Sequence, residues 1–402
     1  MADSDFANAG TWRPLACSGE SPSPRAYHSA DACERGILLF GGDVANLVDD
    51  AEARTVFLLD TSRHRWERVQ AAGEPPAGHI GHATIISDDR VYVFGGLDGG
   101  FERRGAEPYS SRLSLLDLRS SPPSWSAVMA DEGSAAEQPP PRRDARLVVL
   151  PSAQPGSDKR PALFRAPARG AHPSLLLFGG WDLLSCKGDL QKFVSTKRGP
   201  TAWIPVVADA GAPPPPSARR GHSATLVSTA FSTSVAGDNA VYVYGGCRGV
   251  AKYLDDLHVL DVFGGSMRWT ARPDVSGASP GPRAWHSAND VGRGRVVLFG
   301  GARGAGADGG VLLSNELHLL DTAKLAWSAV RPAGAPPPPR CAHSATCVGD
   351  ALLVFGGRGD DGLCADGVWA LELTGVLLSE NEVSSSTGRK TPSVLSSPLE
   401  PA

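Results

Sequence analysis

Residues Ile37–Asp43 read ILLFGGD, and the same order of an apolar run, an aromatic residue and two glycines returns five more times. The later copies are VYVFGGL at 91–97, LLLFGGW at 175–181, VYVYGGC at 241–247, VVLFGGA at 296–302 and LLVFGGR at 352–358. Short apolar runs bounded by glycine are typical of buried β-strands. Glycine also tolerates a positive φ and the close approach of another backbone. Each copy therefore predicts a buried strand that ends where the chain is crowded.

A second word, R-x-x-H-S-A, lies upstream of the glycine pairs and predicts the start of another strand. It reads RAYHSA from Arg25, RRGHSA from Arg219, RAWHSA from Arg283 and RCAHSA from Arg340. Two copies are degenerate. HIGHAT has His79 in the Arg place, and RDARLV, which begins at Arg143, has Arg146 in the His place. We interpret the repeated His and Arg as structural, since a buried His bonded to a neighbouring repeat is more ordinary than a series of catalytic imidazoles.

Downstream of the first five glycine pairs, an apolar run, which ends in Leu-Asp in four of them, is followed by a Trp. The run is clear in VFLLDTSRHRW at 56–66 and LHLLDTAKLAW at 317–327, and degraded in LQKFVSTKRGPTAW at 190–203. The tryptophans of this series are Trp66, Trp125, Trp203, Trp269 and Trp327. Each unit thus holds four strands, a to d, in about 50 residues. This repeat length is typical of proteins in which one sheet per repeat is arranged around a common axis. One four-stranded sheet cannot bury both its faces, whereas sheets arranged around an axis can.

At these residues the chain resembles the kelch-repeat β-propellers. The resemblance runs from about Thr11 to Leu373 and implies an all-β, six-bladed kelch β-propeller. The sixth unit ends at strand c (DGVWALEL, 366–373) without a following Trp strand, whereas TWRPL at 11–15 places Trp12 before the first strand a. We therefore predict that an N-terminal d strand around Trp12 completes the last blade and closes the ring.

The domain organisation follows from these words. We predict a disordered N-terminus at 1–10, a propeller at 11–373 and a disordered Ser/Pro-rich tail at 374–402. The predicted blades cover approximately 25–70, 78–130, 141–208, 219–272, 282–331, and 339–373 together with 11–16. Two long loops interrupt them, 97–112 in blade 2 and the basic, Pro/Ala-rich 151–173 in blade 3.

Composition excludes several classes of function. The chain has 402 residues and a net charge of −4, which gives no reason to expect nucleic acid as a partner. It has no apolar stretch of the roughly 20 residues that a membrane span needs. The seven cysteines are odd in number and scattered, which favours a reducing compartment. We expect a monomer in the cytoplasm, with the nucleus left open.

Two motifs suggest chemistry, and neither is in a suitable context. Gly304-x-Gly306-x-x-Gly309 matches a dinucleotide fingerprint, but a predicted strand follows it instead of a helix, so we place it in a loop between strands b and c. Cys341 and Cys347 lie six residues apart in a predicted strand, about 20 Å, which is too far for one zinc ion. We predict no catalytic residue, no metal site and no cofactor.

The candidate functional residues lie in the b–c and d–a loops, which meet at one face of a propeller. The expected mouth residues are Arg25, Arg143, Arg219, Arg248, Arg283, Arg303, Arg340, Arg358, Trp181, Trp285 and Tyr27. Converging Arg side chains would suit acidic or carboxylate-bearing ligands, and aromatic side chains would serve as anchors.

These residues favour a non-enzymatic scaffold or adaptor that binds a partner protein or peptide at the mouth. Two alternatives remain open at this point. In the first, the mouth holds a small molecule or an active site, as in the mutarotase-, oxidase- and lyase-like kelch propellers. In the second, the chain is a substrate receptor of a ubiquitin ligase. A mouth lined by Arg and aromatic residues favours the scaffold, whereas two close carboxylates or three metal ligands would favour an enzyme.

Overall fold

The computed structural model describes residues 10–44, 51–99, 108–129, 138–150, 172–195, 201–207, 212–228, 239–249, 252–263, 266–270, 273–306, 309–365 and 367–373. Every regular element in these ranges is a β-strand. Nearly all of the predicted disordered N-terminus, the whole predicted tail, most of the 151–173 loop and half of the 97–112 loop lie outside the described residues. Within the described ranges, no helix has the length and apolar character needed to cross a membrane.

Six antiparallel sheets surround a central axis, and in each the strands follow one another as a, b, c and d. Each strand a contacts the strands a of both neighbouring blades, so these strands form a closed inner ring. In the order a to d, the strands of blades 1 to 3 are Ser29–Cys33, Gly36–Phe40, Val56–Asp60 and Arg65–Val69; Ala83–Ser87, Arg90–Phe94, Leu113–Asp117 and Ser124–Val128; and Arg146–Val149, Leu175–Phe178, Leu190–Val194 and Ala202–Pro205. Those of blades 4 to 6 are Ser223–Ser228, Asn239–Tyr244, Leu257–Phe263 and Ser266–Trp269; Ser287–Asp290, Arg295–Ala305, Val311–Asp321 and Ala326–Val330; and Ser344–Val348, Ala351–Phe355, Val368–Glu372 and Trp12–Leu15. Two-residue strands connect or flank them at Ser18–Gly19, Arg25–Ala26, Asp43–Val44, Cys247–Arg248, Lys252–Tyr253, Ser276–Gly277, Arg358–Gly359 and Gly362–Leu363.

The sixth sheet takes its outermost strand from the other end of the chain. Trp12–Leu15 pairs antiparallel with Val368–Glu372, and Trp12 lies opposite Leu371. The backbone N–H of Trp12 also donates to the carbonyl of Ala333, which follows the outer strand of blade 5. The predicted all-β, six-bladed propeller with an N-terminal closing strand is confirmed.

The two aromatic positions of the repeat explain each other. At every blade boundary the aromatic residue before the glycine pair packs against the strand-d Trp of the next blade, with ring centroids 5.1 to 5.5 Å apart. The six pairs are Phe40–Trp125, Phe94–Trp203, Phe178–Trp269, Tyr244–Trp327, Phe299–Trp12 and Phe355–Trp66. Tilted and edge-to-face aromatic pairs stabilise a core beyond their area alone. The core of this protein therefore lies between blades, and Trp12 supplies the contact that would otherwise be missing at blade 6.

The first glycine of each pair leaves room for the next blade. Gly41 has φ of +73°, and a Cβ built there would lie 2.6 Å from Cε1 of His82 in blade 2. Both the backbone conformation and the space require glycine at this position. The FGG word is thus the point at which one blade accommodates the histidine of its neighbour.

Blade 3 corrects the predicted register of one motif. Arg146 pairs with Phe178, just as Ser29 pairs with Phe40 in blade 1. Arg146 therefore occupies the Ser place, and Ala145 occupies the His place that we assigned to Arg146. The motif arginine is Arg142 rather than Arg143, because the degenerate sequence lacks the His that fixes the alignment in the other blades.

The dinucleotide-like sequence of blade 5 forms part of a long hairpin. Gly304 lies in strand b opposite Leu312, and the strand Val311–Asp321 follows it. The segment differs from the predicted loop because strands b and c extend beyond the glycine pair. No helix N-terminus follows the fingerprint in the described hairpin, so this segment lacks the phosphate-binding geometry of a dinucleotide site.

Candidate partner-binding site at the propeller mouth

The end of the ring where strands b stop and strands a begin is called the mouth here. A belt of six residues surrounds its axis: Tyr27, Gly81, Asp144, Gly221, Trp285 and Ala342. All six have positive φ, between 53° and 67°. Each backbone N–H donates to the carbonyl of the belt residue in the preceding blade, at 2.7 to 3.2 Å, and the sixth bond returns to the first residue. The belt fixes where the side chains of its four non-glycine residues begin at the mouth.

The motif arginines lie beneath this surface. Arg25, Arg142, Arg219, Arg283 and Arg340 are at most 1% exposed. Each donates from Nη1 to the carbonyl of the first glycine in its own blade, as in the 3.0 Å bond from Arg219 to Gly245. These guanidinium groups therefore hold strand a to the end of strand b, which is a structural task.

Carboxylates neutralise four of these buried arginines. Arg219 binds Asp256 through two hydrogen bonds of 2.7 and 2.9 Å. The corresponding partners are Glu52 for Arg25, Asp189 for Arg142 and Glu316 for Arg283. Burial alone would raise the pKa of Asp256, but hydrogen bonds from His258 and Arg219 keep it well below its ordinary value. The expected mouth residues Arg25, Arg219, Arg283 and Arg340 are thus inaccessible, and we do not carry them into the binding surface.

The motif histidines bridge neighbouring blades. Nε2 of His82 lies 2.9 Å from Ser29 Oγ in blade 1, and His286 makes the same contact with Ser223. His28 and His343 repeat it with Ser344 and Ser287. Burial lowers the pKa of His82 and His343 to about 3 and brings the pKa of His28, His222 and His286 well below the ordinary value. These imidazoles are neutral structural groups at neutral pH.

The corrected register of blade 3 predicts that Arg142 contributes more to stability than Arg143 does. Arg142→Ala should lower the free energy of unfolding by about 3 kcal/mol, because it leaves Asp189 and the Gly179 carbonyl without their buried partner. Arg143→Ala removes a single long ion pair of 3.7 Å with the buried Asp144 and no hydrogen bond to the glycine pair, so it should cost clearly less. Urea unfolding of the two variants measures the difference. Equal losses, or a larger loss for Arg143→Ala, would contradict the register.

Aromatic side chains cluster on one side of the mouth. The guanidinium of Arg220 lies 4.5 Å from the ring centroid of Trp181 and 5.5 Å from that of Trp285. The Trp285 ring also meets the rings of Tyr27 and Tyr253 edge to face, each with centroids 6.4 Å apart. The structure therefore brings together all three predicted aromatic residues and adds Arg220 and Tyr253. We call these five residues the aromatic cluster.

The remaining predicted arginines differ in their charge environment. Arg303 is paired with Glu316 at 3.1 Å, and Arg358 is paired with Asp43 at 2.7 Å. Arg248 is exposed on the hairpin that pairs Cys247–Arg248 with Lys252–Tyr253, and no described carboxylate lies within ion-pair distance of it. Of the exposed mouth arginines that we predicted, the one without a described ion pair therefore lies on blade 4.

Two cavities open near these residues. An open groove of about 530 Å³ lies between the loops of blades 3 and 4, and its lining includes Trp181, Leu184, Cys186, Arg248 and Lys252. On the axis, beneath the belt, a cavity of about 50 Å³ is lined by belt residues, motif histidines and Arg146. The axial cavity is far smaller than the roughly 300–1,000 Å³ of sites for drug-sized ligands. Only the groove has room for a side chain of a partner.

Comparison with known sequences identifies the family. A profile of the KLHDC2/KLHL20/DRC7 Kelch-repeats domain matches residues 5–154 and 171–393. The chain belongs to this kelch family. Kelch propellers are typically protein-interaction domains.

Curated relatives match the kelch propeller over most of its length. It is 28% identical over 362 residues to Adagio-like protein 3 of Oryza sativa subsp. japonica, covering 87% of this chain and 49% of the relative. It is 26% identical to acyl-CoA-binding domain-containing protein 4 of Arabidopsis thaliana, covering 81% of this chain and 40% of the relative. It is 24% identical to human host cell factor 1, covering 86% of this chain and 12% of the relative. This kelch chain therefore spans half or less of the length of these relatives.

Sequence reasoning missed Arg220 and Lys252. Arg220 is the variable second residue of RRGHSA, and the equivalent residues in blades 1 and 5 are Ala26 and Ala284. An arginine at this position, one residue before the belt, was the available signal. Among the described residues of this kelch propeller, no group of three or more His, Cys, Asp or Glu has the arrangement of a metal site.

Proposed function

We propose that this kelch propeller is a non-enzymatic interaction scaffold that binds a partner protein or peptide at its mouth. The observation that supports it most is the aromatic cluster, in which Trp181 and Trp285 flank Arg220 at a partly exposed surface. Tryptophan, tyrosine and arginine are the residues that contribute most to binding energy at protein interfaces. The repeated His and Arg side chains, by contrast, are engaged in holding the blades together.

The proposal includes a carboxylate-bearing partner, a monomeric scaffold and a reducing compartment. The exposed Arg248 at the mouth, which has no described ion-pair partner, supports the first, because a guanidinium binds a carboxylate through two parallel hydrogen bonds. All seven cysteines are free thiols, which supports the cytoplasm or the nucleus. The small axial cavity gives no support to a small-molecule site.

Affinity purification from cells tests this function with a matched set of variants. The Trp181→Ala/Trp285→Ala double variant should recover at least tenfold less of its specific partners than the wild type does. Alanine suits both positions, since Ala342 is a belt residue in blade 6 and Ala302 is the residue after the glycine pair in blade 5. The double variant should therefore remain folded, and it should unfold cooperatively on heating.

The control is Ile204→Ala, which removes an exposed apolar side chain from the outer strand of blade 3. It should recover the same partners as the wild type. Recovery of the same partners, in the same amounts, by the folded double variant would overturn the proposed function.

A further inference from the structure

The unpaired positive charge and the exposed apolar surface of the mouth coincide. Leu184 is 87% exposed and Leu183 is 57% exposed, although both are large apolar residues of the same loop. Leu184 lines the groove together with Trp181, whose ring stacks on Arg220. An exposed apolar patch of this kind, next to a rigid aromatic side chain, is typical of an interaction site.

The charges of the groove have one sign. Arg248 and Lys252 are its only charged lining residues within the described part of the chain, and both are exposed. Two carboxylates of the neighbouring segments are already engaged, since Asp182 is paired with Lys187 and Asp144 with Arg143. The opposite side of the mouth carries Arg303 and Arg358 as internal ion pairs, which a ligand would first have to break.

The chemistry of the occupant follows from this combination. We propose that the groove between blades 3 and 4 binds an internal, acidic segment of a partner protein, in which an Asp or Glu lies beside a large apolar residue. The apolar residue packs on Trp181 and Leu184, and the side-chain carboxylate binds Arg248 and Lys252. The groove is open to solvent, so the partner chain continues past it and needs no free C-terminus. The inference rests on the proposed function and specifies where in the mouth the partner binds.

Panning a phage library of random 12-residue peptides on the wild-type protein tests the occupant. The enriched peptides should carry Asp or Glu within two residues of Leu, Phe or Trp. The best peptide, synthesised with a C-terminal amide and with a free acid, should bind equally in both forms by calorimetry. Enrichment of peptides without acidic residues, or binding that requires the free C-terminal acid, would overturn the proposal.

Charge reversal then tests the location. Arg248→Glu/Lys252→Glu should weaken the binding of the amidated peptide tenfold or more, whereas Arg248→Lys should retain it within about threefold. Arg303→Glu/Arg358→Glu is the matched control and should change the affinity less than twofold. The bound peptide should also slow the alkylation of Cys186, a partly exposed thiol in the lining of the groove.

The two proposals fail in different ways. If binding depends on Arg303 and Arg358 but not on Arg248 and Lys252, the groove is the wrong site, although the mouth still binds a partner. If the library yields no peptide while the Trp181→Ala/Trp285→Ala variant still loses its cellular partners, the acidic-segment proposal is overturned and the proposed function stands. Unchanged recovery of partners by that variant overturns the proposed function itself.

Discussion

A variant that lacks residues 1–15 should lack the cooperative thermal unfolding transition that we expect of the full chain. Deletion removes the outer strand of blade 6, exposes the edge of Val368–Glu372 and uncovers Phe299, which is fully buried against Trp12. Truncating a buried Trp to Ala alone costs about 3–5 kcal/mol. A folded domain has a net stability of only about 5–15 kcal/mol. The loss of Trp12 together with the three other paired residues of its strand is thus of the same order as the whole stability.

Thermal unfolding followed by circular dichroism measures this effect, and two companions make it specific. Trp12→Ala should lower the stability by about 3–5 kcal/mol, whereas Pro14→Ala, an exposed residue of the same strand, should have little effect. A synthetic peptide of residues 10–19, added in trans, should restore part of the lost stability. If the deletion variant melts like the full chain, the ring does not depend on its N-terminal strand.

The second large effect is expected from acid. The pKa of each of the five motif histidines is lowered in the folded state, first of all by burial, while an unfolded histidine has a pKa of about 6.5. Between pH 6.5 and the folded pKa, which is about 3 for His82, the unfolded chain binds protons that the folded chain does not. Stability is therefore fully present above pH 6.5 and falls as the pH decreases, by about 1.4 kcal/mol per histidine per pH unit. The five histidines act in the same direction, so their losses of stability add as the pH decreases.

Between about pH 5 and 6.5, we expect the histidines to dominate the difference in bound protons between the folded and unfolded chains. Carboxylates of the unfolded chain are ionised above about pH 5. Burial raises the pKa of Asp31, Asp89 and Asp290, which opposes the trend. We expect the histidines to prevail because they are more numerous. Urea unfolding at pH 7.5, 6.5, 6.0 and 5.5 measures the slope, and a constant stability over this range would contradict the expectation.

One histidine provides an internal control. Both ring nitrogens of His222 are buried without a hydrogen-bond partner among the described residues, whereas His286 is bonded to Ser223. His222→Leu should therefore cost little at pH 7.5 and should reduce the slope by about 1.4 kcal/mol per pH unit. His286→Leu should reduce the slope equally but also lower the stability at pH 7.5, because Ser223 loses its partner.

The fold was predictable because each repeated sequence motif is needed for the same local packing in every blade. The aromatic–Gly–Gly word and the Trp recur at every blade boundary, since Phe40 and Trp125 meet across one boundary and their counterparts meet across the others. Even the closing strand could be predicted, because Trp12 completes a series that the C-terminal unit leaves incomplete. Only blade 3, where Arg142 and Arg143 are adjacent, admitted the wrong register.

The site was less predictable because its residues depend on partners that are distant in sequence. Arg219 lies next to the mouth in sequence, yet its guanidinium points inward to Gly245 and Asp256, 26 and 37 residues away. Arg303 and Arg358 are exposed as expected, but acidic residues from another strand and another blade pair with them. Whether an arginine is buried, paired or available is decided by such contacts, and the repeat words do not encode them.

The belt of six hydrogen bonds has an electrostatic consequence. All six N–H groups point in the same rotational direction, each toward the preceding blade. Bond dipoles arranged head to tail in a closed circle sum to nearly zero, unlike the aligned dipoles of a helix terminus. The hydrogen bonds of the belt therefore contribute little preference for anions or cations at the mouth. Any such preference must come from side chains on the belt and in the loops above it, so the same ring of backbone could display an acidic, basic or apolar mouth after a few substitutions.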